Sequence, residues 1–384
     1  MSVTTPAGFT AAGVACGLKS SGALDLALVV NTGPSDAAAA VFTSNRAQAN
    51  PIIWSRQAIA DGRARAIVLN SGGANCFTGH QGFQTTHSTA EAVAEHLQLG
   101  AGEVLVCSTG LIGEQLNRER LLAGVAAAAG ALSADGGQDA ARAIMTTDSV
   151  PKMAEYRDAA GWAIGGIAKG AGMLAPGLAT MLVVITTDVV LDSASLDRSL
   201  RAATRVTFDR LDSDGCMSTN DQVTLMASGA SGITPDEAGF TDALTGVCLQ
   251  LALQLQSDAE GASHDIHIRV TGAASDDDAV EVGRSVARNN LFKAAVFGND
   301  PNWGRVLAAI GTTSAEFDPY NVDVTMNGVR VCTAGGPDRP RDEVDLTPRA
   351  LHLEIDLKIG AHEALILTND LTHDYVHENS AYSS

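Results

Sequence analysis

Thr180 is the residue of this chain best suited to covalent chemistry. It lies in the segment KGAGMLAPGLATMLVVITTD, residues 169–188, where three glycines and a proline precede an apolar run. Each of these residues disrupts regular structure, so packing alone does not explain the segment. If the bond between Ala179 and Thr180 were cut, the new α-amine would share a residue with the hydroxyl and could act as its base. The segment therefore suits a threonine that cleaves its own chain and then acts as a nucleophile.

The same residues allow a plainer interpretation. Threonine and the β-branched residues form strands readily, and GLATMLVVITTD taken by itself favours a buried strand. Gly170, Gly172 and Gly177 favour the chemical interpretation, because a strained backbone helps a hydroxyl attack the carbonyl that precedes it. The residues alone leave both interpretations open.

Two other segments place small residues directly after a predicted strand. They are NSGGAN at residues 70–75 and STGLIG at residues 108–113. Small residues at the carboxyl end of a strand leave backbone N–H groups free to face a ligand, which is how many α/β proteins build their sites. Tight turns are the alternative interpretation of both segments.

The composition describes a folded α/β protein with an acidic surface. The chain has 384 residues, of which 45% are hydrophobic, 18% are charged and 4% are aromatic. These proportions, with abundant alanine and glycine, indicate closely spaced sheet and helix layers in one large domain or two lobes. The net charge of −19 argues against binding to nucleic acid or to an anionic membrane, since both would repel the protein. An anionic substrate would therefore need a local cation.

The cysteines and the chain ends carry little functional signal. The six cysteines include no CxxC pair, which argues against a metal site or a disulfide framework and favours reduced thiols. The first residues lack the basic and apolar regions of a secretory signal, and the apolar run at residues 181–185 is too short to span a bilayer. We therefore expect a cytoplasmic protein.

Strand and helix patterns alternate along the first part of the chain. Short apolar, β-branched runs predict strands at residues 23–30, 38–43, 64–70, 104–107, 161–166 and 180–187. A helix is predicted at residues 88–99, where Ser88 and Glu91 have the spacing of a capping box. Further helices are predicted at residues 114–132 and 138–145. This alternation supports the α/β class.

The last part of the chain indicates a smaller α+β unit that begins at about residue 276. Asp300 and Pro301 have the types of a helix N-cap and first turn. The Asn327–Gly328 pair between two valine-rich runs predicts a β-hairpin with a type I′ turn. Residues 351–359 and 364–367 predict a second hairpin. The tail HENSAYSS is polar, and its composition predicts a frayed end.

Five motifs, taken together, are similar to those of one known family. KGAGMLAPGLATML is preceded by STGLIG and by AIMTTD at residues 143–148, and is followed by FGNDPNWGR at residues 297–305 and a terminal ENSAYSS. In this order the sequence resembles the ornithine acetyltransferase family, also called glutamate N-acetyltransferases, which are self-cleaving enzymes of the cyclic arginine pathway. The resemblance extends over essentially the whole chain. It departs from the usual pattern at SGGAN near Asn70, where relatives have SGNAN, and at Gly177, where relatives often have a polar residue.

The resemblance implies a fold and a division of the chain. The expected fold is α/β, a layered α-β-β-α sandwich of the aminopeptidase-like, self-processing type, with a smaller C-terminal α+β lobe at about residues 276–384. Cleavage between Ala179 and Thr180 would give an alpha chain of residues 1–179 and a beta chain of residues 180–384. The two chains are expected to stay associated and to assemble into a homo-oligomer of heterodimers.

The resemblance also implies a reaction. Thr180 would take an acetyl group from N2-acetyl-L-ornithine and pass it to L-glutamate in a ping-pong transfer. Thr109 and Gly110 would form the oxyanion hole, and no metal or organic cofactor is expected, with acetyl-CoA as a possible additional co-substrate. The residues expected to bind substrate are Thr146, Thr147, Lys169, Thr180, Glu260, Asn379 and Ser384.

Several of these roles agree with the chemistry of the residues. Lys169 would supply the cation that an acidic protein needs for an amino-acid carboxylate, and its like charge would disfavour protonation of the Thr180 amine. Glu260 could meet the ornithine ammonium. Of Thr146 and Thr147 we favour Thr146 as the substrate contact. The resemblance predicts that the tail folds back to the site, against the composition.

Two other functions stay open from the sequence. A self-processing aminopeptidase or amidase would use the same threonine chemistry but release the acyl group to water. A catalytically silent binding protein would use the glycine-rich segments only as turns. The sequence also leaves open whether acetyl-CoA is a donor.

Overall fold

The computed structural model describes residues 2–175 and 181–381. The expected cleavage residues Ala179 and Thr180 and the tail residue Ser384 lie outside the described residues. Within the described ranges every helix is too short or too polar to cross a lipid bilayer.

The described strands form three sheets. In chain order the strands are β1 (Phe9–Val14), β2 (Leu26–Asn31), β3 (Ala38–Phe42), β4 (Ala66–Asn70), β5 (Val104–Ser108), β6 (Lys152–Arg157), β7 (Ala163–Lys169), β8 (Leu182–Thr187), β9 (Gln222–Ala227), β10 (Asp265–Ala273), β11 (Asp323–Met326), β12 (Val329–Thr333), β13 (Gly336–Pro337), β14 (Ala350–Asp356) and β15 (His362–Asn369). The strand orders are β1-β2-β4-β5 in the first sheet, β3-β9-β8-β7-β6 in the second, and β13-β12-β11-β14-β10-β15 in the third.

The helices cover the faces of these sheets. They are α1 (Asn50–Ala58), α2 (Gly79–Leu97), α3 (Arg118–Gly130), α4 (Gly137–Ala143), α5 (Ser193–Val206), α6 (Glu237–Ser257), α7 (Asp276–Ala287), α8 (Asn290–Phe297), α9 (Trp303–Ile310) and α10 (His373–Ala381).

The first two sheets pack face to face. Val29 and Leu69 of the first sheet share a buried core with Ile167 and Val184 of the second. Side chains alternate between the two faces of a strand, so each strand also has an outward face to bury. All six residues of β8 are buried, which agrees with a strand covered on both faces.

Helices bury the outward faces of both sheets. Leu28 of β2 packs in a core with Val93 of α2 and Val125 of α3. Val183 of β8 packs in a core with residues of α5 and of α6, including Leu251. The four layers are therefore helix, sheet, sheet and helix, and the predicted α/β sandwich is confirmed.

The third sheet has a core of its own. Ile268 of β10 lies in that core with Val282 of α7 and Val306 of α9. The predicted type I′ hairpin is confirmed, since β11 and β12 pair antiparallel around Asn327 and Gly328, both with positive φ. The second predicted hairpin is wrong, because β10 lies between β14 and β15 and pairs with both.

Two helix starts differ from the sequence-based prediction. Helix α2 begins at Gly79, nine residues before the predicted start at Ser88, so Ser88 lies inside the helix. The N-cap of α9 is Asn302, whose side chain accepts the N–H of Arg305, and not Asp300. Asn302 caps α9 in place of Asp300, whereas the N-cap of α2, Thr78, makes no capping hydrogen bond with its side chain.

The second sheet interleaves the two halves of the chain. Strands β8 and β9, which follow Thr180 in the sequence, lie between β3 and β7, which precede it. Strand β9 pairs antiparallel with β3, and β8 pairs antiparallel with β7. The sheet therefore requires strands from both sides of position 180.

Candidate active site

One pocket of about 340 Å³ collects most of the residues expected to bind substrate. It opens where β5 and β7 end, beside the segment that follows α6 and beside α10. Its walls are formed by Thr109, Gly110, Leu111, Ile112, Thr146, Thr147, Lys169, Gly172, Met173, Glu260 and Asn379. Of the expected site residues, only Ala179, Thr180 and Ser384 are absent from this set, and all three lie outside the described residues.

The Thr109–Gly110 wall is a tight backbone turn at the end of β5. The Thr109 N–H donates to the Asn70 carbonyl at 2.9 Å, and the Thr109 carbonyl accepts the Gly73 N–H at 2.9 Å. Gly110 has a φ of +124°, and a Cβ there would lie 2.8 Å from the Gly73 nitrogen. Only glycine fits such a backbone, so the two predicted strand-end segments brace each other at the pocket.

Lys169 supplies a buried cation at the end of β7. The residue is only 2% exposed. Its Nζ donates to the Thr146 hydroxyl at 2.7 Å and to the Thr109 hydroxyl at 3.1 Å. Burial lowers the pKa of Lys169, whereas the Asp148 carboxylate, 3.9 Å from the Nζ, raises it. Thr146 therefore contacts the lysine directly, and both Thr146 and Thr147 line the pocket.

Glu260 supplies a carboxylate to the same pocket. Its position follows the end of α6, and its N–H donates to the Ala171 carbonyl at 3.0 Å. Its Oε2 accepts the side-chain amide of Asn379 at 3.0 Å. The pocket thus offers one cation and one carboxylate, which suits a ligand that carries both charges.

The tail reaches this pocket through α10. Asn379 lies in that helix, and the helix start is tied down because the Thr372 hydroxyl accepts the Tyr375 N–H at 2.9 Å and donates to the Gly261 carbonyl at 2.6 Å. The composition-based expectation of a frayed tail is therefore wrong as far as Ala381.

Two buried aspartates near the pocket were missed by sequence reasoning. Asp148 closes the AIMTTD motif and lies between Lys169 and Lys152. Asp221 precedes β9, and its Oδ1 accepts the N–H of Met181 at 3.1 Å. Burial raises the pKa of Asp221 well above its usual range, and its Oδ2 has no hydrogen-bond partner among the described residues. The motif could have pointed to Asp148, but no sequence pattern marks Asp221.

The described residues, including those of the pocket, form no site for a metal ion. Across residues 2–175 and 181–381, no three histidine, cysteine or carboxylate side chains are grouped for metal binding.

Comparison of the sequence with known proteins shows the family of this chain. The sequence profile of the ArgJ family matches residues 10–384. The chain belongs to the ArgJ family. It is 61% identical to the arginine biosynthesis bifunctional protein ArgJ of Streptomyces coelicolor, over 100% of both chains. The ArgJ protein of Streptomyces avermitilis is 62% identical, again over 100% of both chains. The resemblance drawn from the five motifs is thereby confirmed.

A solved structure with a related sequence aligns with about half of the chain. It is ornithine acetyltransferase from Mycobacterium tuberculosis in complex with ornithine, 55% identical over 47% of this chain and 96% of its own, with a TM-score of 0.45. Membership of the ArgJ family therefore rests on the full-length sequence matches.

Proposed function

We propose that this protein transfers an acetyl group from N2-acetyl-L-ornithine to L-glutamate and so yields L-ornithine and N-acetyl-L-glutamate. The full-length match to bifunctional ArgJ proteins of arginine biosynthesis carries this proposal. The paired charges of Lys169 and Glu260 support it, because both amino acids carry a carboxylate and acetylornithine also carries an ammonium. A role in biosynthesis also supports a cytoplasmic location.

The proposed nucleophile is Thr180, released by cleavage after Ala179. Its hydroxyl attacks the acetyl carbonyl while its α-amine takes the hydroxyl proton and passes it to the departing ornithine amine. The acetyl group then rests on Thr180 as an ester. The glutamate amine attacks that ester, loses a proton to the α-amine, and leaves with the acetyl group, so the threonine hydroxyl is restored. Two easier acyl transfers replace one difficult transfer.

Thr109 and Gly110 are proposed to stabilise the oxyanion of both steps. The Thr109 N–H is already bonded to the Asn70 carbonyl, so the proposed donors are the Thr109 hydroxyl and the Gly110 N–H. Donors held in place before the reaction need no rearrangement as charge develops. Removing one such donor typically costs about 3 kcal/mol of transition-state stabilisation.

The binding roles are assigned by charge. Lys169 binds the α-carboxylate, with Thr146 beside it, and Glu260 binds the δ-ammonium of ornithine while Asn379 holds the Glu260 carboxylate in place. Thr147 is the second threonine at the pocket wall. Ser384 is proposed, from the family resemblance alone, to contribute a further contact.

The two chains, residues 1–179 and 180–384, are proposed to remain together and to form a homo-oligomer of heterodimers. The interleaved strands of the second sheet support the association of the two chains, because separating them would break the pairing of β9 with β3 and of β8 with β7. No cofactor beyond the co-substrates is proposed.

The names of the two Streptomyces relatives support a second activity. They call the ArgJ proteins bifunctional. We therefore propose that acetyl-CoA also acetylates L-glutamate on this enzyme. Steady-state assay with acetyl-CoA and glutamate, without acetylornithine, measures that activity directly.

The cleavage is tested by the mass and N-terminal sequence of the purified protein. We expect two chains, the second beginning at Thr180, and we expect Thr180→Ala to abolish both cleavage and transfer. A single uncut chain that transfers acetyl groups would contradict the mechanism. Dependence of acetylornithine consumption on glutamate separates a transferase from an amidase, which would consume acetylornithine without glutamate.

A further inference from the structure

Asp148 is a buried carboxylate with no role in the proposed chemistry, yet four groups converge on it. Its side chain is fully buried. Its Oδ2 accepts the Thr146 N–H at 2.9 Å, and its Oδ1 accepts the Gly170 N–H at 2.7 Å and the Lys152 Nζ at 2.5 Å. The Lys169 Nζ lies 3.9 Å from Oδ2. Asp148 thus joins the loop that bears Thr146, the strand β6 and the end of β7.

Lys152 extends this network to the segment that carries Glu260. The Lys152 Nζ also donates to Asp258, whose carboxylate accepts the N–H and hydroxyl of Ser149. Asp258 is the C-cap residue of α6, two positions before Glu260. One buried network therefore fixes the pocket segments on both sides of the ligand space.

The charges in this network depend on one another. Burial would raise the pKa of Asp148, but the ammonium groups of Lys169 and Lys152 hold it at about 2. Burial lowers the pKa of Lys169, and Asp148 opposes that change while Lys152 adds to it. The charged groups that act on Lys169 are Asp148, Lys152, Glu260, Asp221 and Lys19. Among the carboxylates, Asp148 has the largest effect on Lys169.

We propose that Asp148 is a positioning residue that pairs with the Lys169 ammonium and directs it, together with the Thr146 hydroxyl, into the pocket. The predicted effect on kinetics rests on the proposed function, whereas the predicted effect on the titration of Lys169 does not. Lys152 opposes the effect of Asp148 on the pKa of Lys169. Its ammonium forms ion pairs with both Asp148 and Asp258.

The electrostatic consequence can be measured without any assay of activity. The chain has five lysines, Lys19, Lys152, Lys169, Lys293 and Lys358, so ¹³C-labelled lysine ε-carbons give few NMR signals. The signal that is lost in Lys169→Arg belongs to Lys169. In Asp148→Asn, we expect the titration midpoint of Lys169 to move to lower pH, because the carboxylate that stabilises the ammonium is gone. In Lys152→Gln, we expect the midpoint to move to higher pH, because a repelling charge is gone.

Asp139→Asn is the matched control. Asp139 is an exposed carboxylate on α4, with its side chain 56% exposed, and its removal should leave the Lys169 midpoint unchanged. An unchanged midpoint in Asp148→Asn, or midpoints that move in the same direction in both network variants, would overturn the proposal. If Asp148→Asn does not fold, the same titration of Asp148→Ser, which also removes the carboxylate, decides.

The kinetic consequence separates this inference from the proposed function. In Asp148→Asn we expect KM for acetylornithine to rise about tenfold, as for the loss of one charge-assisted contact, with a smaller change in kcat. The alkaline limb of kcat/KM should move to lower pH in step with the NMR midpoint. An inactive wild-type enzyme would refute the proposed function while the NMR titration still decides the role of Asp148. An active Asp148→Asn enzyme with the wild-type pH profile would refute the positioning role.

Discussion

Gly172 determines where the Glu260 carboxylate can lie. A Cβ at position 172 would be 2.4 Å from Oε2, and 2.6 Å from Oε1 and from the carboxylate carbon. Such separations are far below van der Waals contact, so the carboxylate would have to leave its position. We expect Gly172→Ala to raise KM for acetylornithine about tenfold, the effect of losing one charged contact, with little change in kcat. Steady-state kinetics with acetylornithine as the varied substrate measure this effect.

Gly246→Ala is the control for that substitution. Gly246 lies within α6, and a Cβ there meets no atom within 4 Å apart from the neighbouring backbone of its own helix. Alanine is the better helix former, so this variant should keep wild-type kinetics and unfold at the same or a slightly higher temperature. An equal rise of KM in both variants would show that the effect of Gly172→Ala is not local to Glu260.

Single residues also show what the sequence could and could not predict. Thr146 was favoured over Thr147, and its hydroxyl does contact Lys169, although its contact with substrate stays a prediction. Asp148 and Asp221 escaped notice because their importance comes from burial and from neighbours distant in sequence, such as the Gly170 N–H and the Met181 N–H. The sequence alone does not distinguish a buried carboxylate from a solvated one.

Among the elements, α10 contributes a single residue to the pocket. The structure gives it no buried residue, and only Asn379 of this helix lines the pocket. We expect Asn379→Ala to raise KM for acetylornithine several-fold, because the Glu260 carboxylate loses its hydrogen bond. Since the helix buries little, the unfolding temperature should change by no more than about 2 °C. Kinetics and thermal unfolding of the same preparation provide both values.

The adjacent Ser380 offers a matched control. It lies on the same helix, exposed, and among the described residues its hydroxyl contacts only the His377 carbonyl, at 3.4 Å. Ser380→Ala should leave both KM and the unfolding temperature unchanged. If Ser380→Ala weakened substrate binding as much as Asn379→Ala, the helix would act through its overall position and not through one amide.

Elements were predictable where the signal is local. The Asn327–Gly328 hairpin was predicted correctly because a type I′ turn depends on two adjacent residues. The pairing of β14 with β15 was predicted wrongly because neighbours in sequence were assumed to be neighbours in the sheet, whereas β10 takes the place between them. The domain boundaries, including a lobe from about residue 276 and a cut at position 180, stay predictions.

In the whole molecule, repulsion among acidic residues, which give a net charge of −19, destabilises the folded state. Screening by salt weakens repulsion between exposed acids at separations beyond about 10 Å at 0.1 M. The buried pairs of the Asp148 network are shielded from that screening. We therefore expect the unfolding temperature to rise by a few degrees when sodium chloride is raised from about 10 mM to about 300 mM, as measured by differential scanning calorimetry. A fall over this range would mean that exposed ion pairs outweigh the general repulsion.

The interleaved second sheet affects how the protein folds before and after cleavage. Before cleavage, β3 and β9 are tethered by the chain, so their encounter is unimolecular and independent of protein concentration. After the proposed cut, the same pairing would require two separate chains to meet, and the advantage of high effective concentration is lost. The enzyme would then fold once, as a precursor, and re-forming the pair of β3 and β9 from denaturant would depend on concentration only after maturation. In Thr180→Ala, an uncut chain, that pair should re-form equally well at any dilution.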